Sequence, residues 1–125
     1  MNLVDSSGWI EYFVGGTQAD QFSKPIEQTE KLIVPTIVIY EVFKFLVGKS
    51  EERHAWGAIS TMHLGEIAPL DVDIALQAAQ MSLQLKLPMA DSIILATAKV
   101  YGATIWTQDT DFKGFENVKF IDRKN

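Results

Sequence analysis

Cysteine is absent from the sequence, and histidine occurs twice. Without cysteine there are no disulfide staples and no thiolate metal site. His54 and His63 are too far apart for one helix face to bring them together, and His54 falls on a polar stretch, so a zinc centre is not expected and each histidine reads as structural or solvated. No stretch approaches the roughly 18 uninterrupted apolar residues that suggest a membrane span. The N-terminal MNLVDSSGW has neither the basic region nor the apolar run of a signal peptide, so a soluble cytoplasmic protein is expected. Positive charge is scarce as well. Eleven Lys and Arg face sixteen Asp and Glu, a formal net charge of −5, which argues against binding nucleic acid by surface electrostatics alone. A local basic rim around an acidic site is still compatible with that balance, and acids bound to metal would present less negative charge to a partner. Gly15-Gly16 is not followed by the lysine of a phosphate loop and does not fit GxGxxG, and there is no GxSxG elbow.

What is present is an ordinary globular composition, 47% hydrophobic and 22% charged, long enough for one domain over 1–125 with a real core. Short apolar runs alternate with longer amphipathic ones. Strands are expected at 2–4, 32–34, 67–70, 103–106 and 118–121. Helices are expected between them, the first capped by Ser6 or Ser7 and the third, TIVIYEVFKFLVGK, capped by Thr36 and closed by Gly48. That third helix is apolar at most positions and should be buried on nearly all sides. Ser50 is expected to cap the fourth helix and Asp71 the fifth, with Ile74, Ala78, Met81 and Leu85 on one face. Strands alternating with helices indicate a parallel, three-layer α/β fold.

The most informative stretch is KLPMADSIILATAKVYGATIWTQDTDF, residues 86–112. Asp91 stands at the start of its helix and Asp109 just after its strand. In a parallel α/β fold strand C-termini and helix N-termini gather on one edge, where ligands bind. Asp5, after the first strand, and Glu41, on the third helix, are candidates for the same edge. Each has a plainer reading. Asp5 and Asp91 are acceptable helix caps, Asp109 and Asp111 are typical turn residues, and Asp111 could cap a turn at Phe112-Lys113. Glu41 has apolar neighbours at helical spacing, Ile37, Val38, Val42 and Phe45, and a buried carboxylate must be paired, protonated or metal-bound. Lys44, one turn on, is one partner and a divalent cation the other. Converging carboxylates repel unless a proton or cation holds them, and hard oxygen ligands favour magnesium or manganese.

The order VDSSGWIEYF, TIVIYEVFKFL, MADSIILATA, TQDTDF resembles PIN-domain ribonucleases, and in particular the VapC-type toxins of toxin–antitoxin pairs, over essentially the whole chain. The resemblance implies a sheet order of 3-2-1-4-5. It places the family's four catalytic and metal-binding acids on Asp5, Glu41, Asp91 and Asp109, with Ser6, Thr107 and Asp111 helping to orient ligands or waters. It implies Mg2+-dependent cleavage of single-stranded RNA (tRNA, rRNA or mRNA), with Mn2+ able to substitute, and toxicity through blocked translation. It also implies a homodimer and a small antitoxin. Lys44, Lys49 or Lys86 could hold the RNA backbone. Trp9, Tyr12, Phe13 and Phe22 would offer an apolar docking surface, at least half of it simply core. The alternatives are a housekeeping PIN nuclease without an antitoxin, a receiver-like regulatory module, or a plain α/β binding protein in which Glu41 pairs with Lys44.

Overall fold

The computed structural model describes residues 1–49 and 51–123. Five short strands, β1 (Asn2–Val4), β2 (Leu32–Pro35), β3 (Glu66–Ala68), β4 (Thr104–Thr107) and β5 (Val118–Phe120), form one parallel sheet in the order β3-β2-β1-β4-β5. Leu3 pairs with Ile33 on one side and Ile105 on the other, so the first strand made becomes the centre of the sheet. Leu3, Val4, Ile33, Val34 and Ile105 of its central strands are fully buried, as expected of a parallel sheet covered on both faces. Trp106 Nε1 donates to Asn2 Oδ1 at 2.9 Å and ties β4 to β1 at the strand ends.

Six helices complete the three-layer α/β/α arrangement: α1 (Ser6–Val14), α2 (Ala19–Ile26), α3 (Thr36–Lys49), α4 (Glu52–Met62), α5 (Val72–Leu85) and α6 (Met89–Tyr101). One core runs from Leu3, Val4 and Trp9 through Val34 and Val38 to Ile94 and Ile105. A smaller one joins α5 to α6 through Ile74, Ala78, Ile93 and Ala96. Gly15 and Gly102 end α1 and α6 in the left-handed conformation, at φ 69° and 62°, where glycine has no Cβ penalty. Among the described residues no helix is long and apolar enough to cross a membrane.

Several local expectations are corrected. The first helix is capped by Asp5 rather than Ser6 or Ser7. Helix α3 continues through Gly48 to Lys49. It is buried only along Val38, Val42 and Leu46, leaving Tyr40 59% exposed and Val47 41%. One apolar stripe suffices to seat a helix, and the apolar pattern of α3 alone does not say how many neighbours cover it. Trp9 and Phe22 are fully buried, which removes them from any docking surface, while Tyr12 and Phe13 are half-buried. Pro69 lies beyond β3, which ends at Ala68. The expected cap at Ser50 lies outside the described residues.

Candidate metal centre

Asp5 is where chain direction and chemistry meet. It follows β1 directly, with extended backbone, and its carboxylate turns back over the first turn of α1. Oδ1 accepts from the Gly8 N–H at 3.0 Å and from Ser7 Oγ at 2.7 Å. Oδ2 accepts from Thr107 Oγ1 at 2.6 Å, across from β4. Thr107 is fully buried, and the same Oγ1 accepts from the Asp109 N–H at 2.9 Å. One hydroxyl therefore fixes two of the candidate acids relative to each other. Oδ2 keeps a free lone-pair direction, since a carboxylate oxygen takes about two partners.

The loop after β4 is shaped by its own acids. Asp109 Oδ1 accepts from the Asp111 N–H at 2.9 Å and caps a short 3₁₀ turn, Thr110–Phe112, whose Phe112 is pinned in the core. The cap of that turn is thus Asp109 rather than Asp111. Asp91 sits in the first turn of α6, whose cap is Pro88, so Asp91 is not spent as a cap. Carboxylate oxygens of Asp91, Asp109 and Asp111 come within 4.8 Å of one another. Glu41 enters from α3, and its Oε1 is buried with no hydrogen-bond partner. Lys44 does not neutralise it; the ammonium lies over the Tyr40 ring, 5.6 Å from its centre.

The electrostatics carry the same signature. Burial pushes the Asp5 carboxyl up to about 6, against the pull of Thr107, Ser7 and the Gly8 N–H, with Asp109 adding repulsion. Burial likewise raises Glu41, opposed by the Ser6 hydroxyl and reinforced by Asp109. Asp91 is pushed up to about 7, first by burial, then by the adjoining Asp111, by Asp109 and by Glu41. Each of these carboxyls is raised first by burial, and further acids rather than a positive charge adjoin it. Among the described residues the one ion pair, Arg53–Glu51 at 3.2 Å, lies on the exposed surface away from these acids. An all-carboxylate donor set, raised toward neutral pH and holding one orphaned buried oxygen, fits a hard divalent cation.

Of the residues singled out from sequence, Asp91, Asp109 and Asp111 come together, with Asp5 and Glu41 interacting through Asp109. Asp111 stands as close as its neighbours rather than behind them. Ser6 serves Glu41, whereas Ser7 serves Asp5 and its Oγ also accepts from the Gln108 N–H at 3.2 Å. Ser7 and Gln108 escaped sequence reasoning because Ser6 and Ser7 are locally equivalent and their partner lies a hundred residues on. Two hollows flank the acids. Glu41, Lys44, Phe45 and Lys49 line one of about 410 Å³, and Asp109, Gln108, Phe120 and Arg123 line another of about 330 Å³. Lys44 and Lys49 are therefore beside the acids, joined by Arg123, which sequence reasoning overlooked. His54 and His63 are exposed and outside the centre.

A family profile described as the PIN domain matches residues 3–118. No curated protein sequence matches the chain significantly. Among solved structures, a toxin–antitoxin complex from Klebsiella pneumoniae is 26% identical, with a TM-score of 0.81 over 95% of this chain and 96% of the other. The sarcin–ricin-loop-cleaving toxin VapC20 of Mycobacterium tuberculosis is 16% identical, with a TM-score of 0.76 over 94% and 98%. VapBC2 of Rickettsia felis, solved on a DNA fragment of its promoter, is 12% identical, with a TM-score of 0.75 over 97% of each chain. The last two likenesses speak to the fold alone. With a profile spanning nearly its full length and the matching sheet order, this chain belongs to the PIN domain family.

Proposed function

We propose that this protein is a metal-dependent endoribonuclease acting as the toxin of a toxin–antitoxin pair in the cytoplasm, working as one domain over 1–125. The observation that carries the proposal is the convergence of Asp91, Asp109 and Asp111 within 4.8 Å, beside a buried Glu41 oxygen with no partner. Asp5, Glu41, Asp91 and Asp109 would hold Mg2+ or Mn2+, with Asp111 completing or steadying the set. A bound ion of this kind lowers the pKa of a water and stabilises charge on a phosphate under attack. The protein's own part is to hold the acids ready. Thr107 and Ser7 aim the Asp5 carboxylate and oppose the upward push of burial, Ser6 opposes it at Glu41, and the Asp109–Asp111 turn fixes the loop. Lys44, Lys49 and Arg123, in the flanking hollows, are placed to hold the phosphates of single-stranded RNA on either side of the cut.

An antitoxin partner is supported by the Klebsiella and Rickettsia neighbours, whose structures are toxin–antitoxin assemblies. The surface that suits it is the apolar groove between α3 and α4, lined by Ile39, Tyr40, Phe43, Trp56 and Ile59. Trp56 is 58% exposed there, and Tyr40 also borders the Glu41 hollow, so a segment laid in the groove reaches the acids. We further propose a homodimer.

The test is cleavage of a mixed cellular RNA pool by antitoxin-free protein, with Asp91→Asn and EDTA as controls. Cleavage that needs both Asp91 and added Mg2+ is expected. A folded wild type that cuts no more than either control would overturn the nuclease reading.

A further inference from the structure

Between α1 and the loop after β4 lies a hollow of about 140 Å³, lined by Glu11, Thr17, Gln18, Gln108 and Arg123. Gln108 and Arg123 also line the hollow that contains Asp109, so the two adjoin at the edge of the acidic centre. The smaller one has the volume of about five waters, enough for a planar ring and too little for a whole nucleotide.

Two of its walls are buried amides: Gln18 is 3% exposed and Gln108 6%. A buried amide needs a partner at both ends. Gln18 Oε1 accepts from Gln21 Nε2 at 3.1 Å. Gln108 Nε2 donates to the Ser7 carbonyl at 3.4 Å, and its backbone N–H to Ser7 Oγ at 3.2 Å. The opposite ends, Gln18 Nε2 and Gln108 Oε1, have no partner among the described residues. Glu11 is in the same state. Its Oε2 accepts from the Gln18 N–H at 2.8 Å, and Gly16 offers no Cβ where the carboxylate lies. Its Oε1 has no partner among the described residues, and Arg123, on the same hollow, forms no ion pair with it. Holding the Gln18 N–H accounts for one Glu11 oxygen and for neither open amide end.

The unspent atoms are thus two acceptors, Glu11 Oε1 and Gln108 Oε1, and one donor group, Gln18 Nε2. Guanine offers the reverse on its Watson–Crick edge: two adjacent donors, N1–H and the N2 amino group, and one acceptor, O6. Cytosine and uracil each offer one donor and two acceptors, and adenine one of each, so any of them leaves an oxygen of the hollow unmatched. We propose that this hollow reads a guanine of single-stranded RNA, with Glu11 and Gln108 accepting from N1–H and the N2 amino group and Gln18 donating to O6. The proposal rests on the nuclease reading above and names part of its substrate. Unstacked bases of single strands present this edge to a protein. Arg123, shared by the two hollows, is placed to hold the phosphate that joins the guanine to the nucleotide at the acids.

The test has two arms. In the first, antitoxin-free protein cuts a mixed cellular RNA pool in Mg2+ and the new ends are sequenced. Guanine should dominate at one fixed position beside the cut. Glu11→Gln keeps the shape and can still accept from the Gln18 N–H, but it turns an open acceptor into a donor. Its guanine preference should fall by roughly 10-fold or more while the pool is still cut. The second arm needs no cleavage: fluorescence anisotropy in EDTA measures binding of labelled UUGUU RNA and of the same strand with inosine at its centre. Inosine lacks only the N2 amino group. The wild type should bind the guanine strand roughly 10-fold more tightly or better, and Glu11→Gln should bind both alike, with unchanged far-ultraviolet circular dichroism. Cutting with no base favoured at a fixed position, with another base favoured, or with a guanine preference that survives Glu11→Gln would overturn the subsite and leave the nuclease standing. A wild type that cuts nothing would overturn the nuclease reading. The second arm then decides the subsite, and equal binding of the guanine and inosine strands overturns it.

Discussion

Replacing Thr107 with valine removes one oxygen and keeps the shape. The lost Oγ1 donates to Asp5 Oδ2 at 2.6 Å and accepts from the Asp109 N–H at 2.9 Å, all within a fully buried side chain. A hydrogen bond to a charged group contributes about 1.5–3 kcal/mol, and a buried donor left unpaired costs roughly 1–3 kcal/mol. Allowing for partial rescue of the Asp109 N–H by water, the variant should lose about 3 kcal/mol, or on the order of 10 °C in Tm for a domain of this size. The loss should also depend on pH. Thr107 is the strongest influence holding the Asp5 carboxyl down, so without it Asp5 binds its proton still more tightly in the folded state. A raised folded-state pKa gives stability at low pH that is lost as pH rises. The deficit relative to wild type should therefore be smaller at pH 5, where Asp5 is largely protonated in both proteins, and larger at pH 8. Thr107→Ser, which keeps the oxygen, should recover most of it. The assay is chemical denaturation at both pH values in EDTA. A deficit equal at pH 5 and pH 8, or one that serine does not repair, would refute the bridging role and reduce Thr107 to a packing residue.

Four further outcomes follow from the structure. In EDTA the wild type should be more stable at pH 5 than at pH 8: Asp5, at about 6 against 3.8 unfolded, contributes stability fully present below pH 3.8 and lost through pH 6, amounting to about 3 kcal/mol, and Asp91, at about 7, acts in the same direction. Mg2+ should then raise Tm more at pH 8 than at pH 5, and a metal-free Tm that climbs with pH would contradict the unpaired-acid picture. Lys86 closes α5 in the left-handed conformation at φ 55°, so Lys86→Gly should raise stability by roughly 0.5–1 kcal/mol in urea denaturation. Gly8 leaves no room for a methyl group, because a Cβ would lie 2.6 Å from the Phe22 ring and from Val4 Cγ1; Gly8→Ala should cost roughly 1–3 kcal/mol despite the better helix propensity of alanine, and a neutral result would mean that the Phe22 contact is softer than the packing indicates.

The sheet was legible because its signals are local. Apolar runs such as Leu32–Val34 and Ile105–Trp106 are short, and caps such as Asp71, which accepts from the Ile74 N–H at 2.9 Å, sit where the pattern places them. The strand order came only with the family resemblance, since nothing local distinguishes one parallel arrangement from another. The plainer readings of the acids proved not to exclude the sharper ones. Asp5 and Asp109 are caps and also lie at the acidic centre, so weighing cap against ligand posed a choice that the fold does not make. Asp91 looked like a cap only because helix starts are hard to place within a residue or two. What stayed hidden was tertiary: which serine serves which acid, where Lys44 rests, and that α3 keeps an apolar face open.

Asp5 is synthesised before most of the domain, but Thr107, its hydroxyl partner from β4, follows 102 positions later. Until β4 has been made, β1 has a neighbour on one side only, Thr107 and Asp109 do not exist, and the carboxylates stay apart. An interrupted chain that stops before β4 thus carries two of the acids, Asp5 and Glu41, or three once Asp91 is added, without the strand that orients them. Such fragments have no partial version of the centre. On the proposed toxin reading, this ordering leaves chains that stop before β4 without the assembled centre and withholds it until most of the domain has been made.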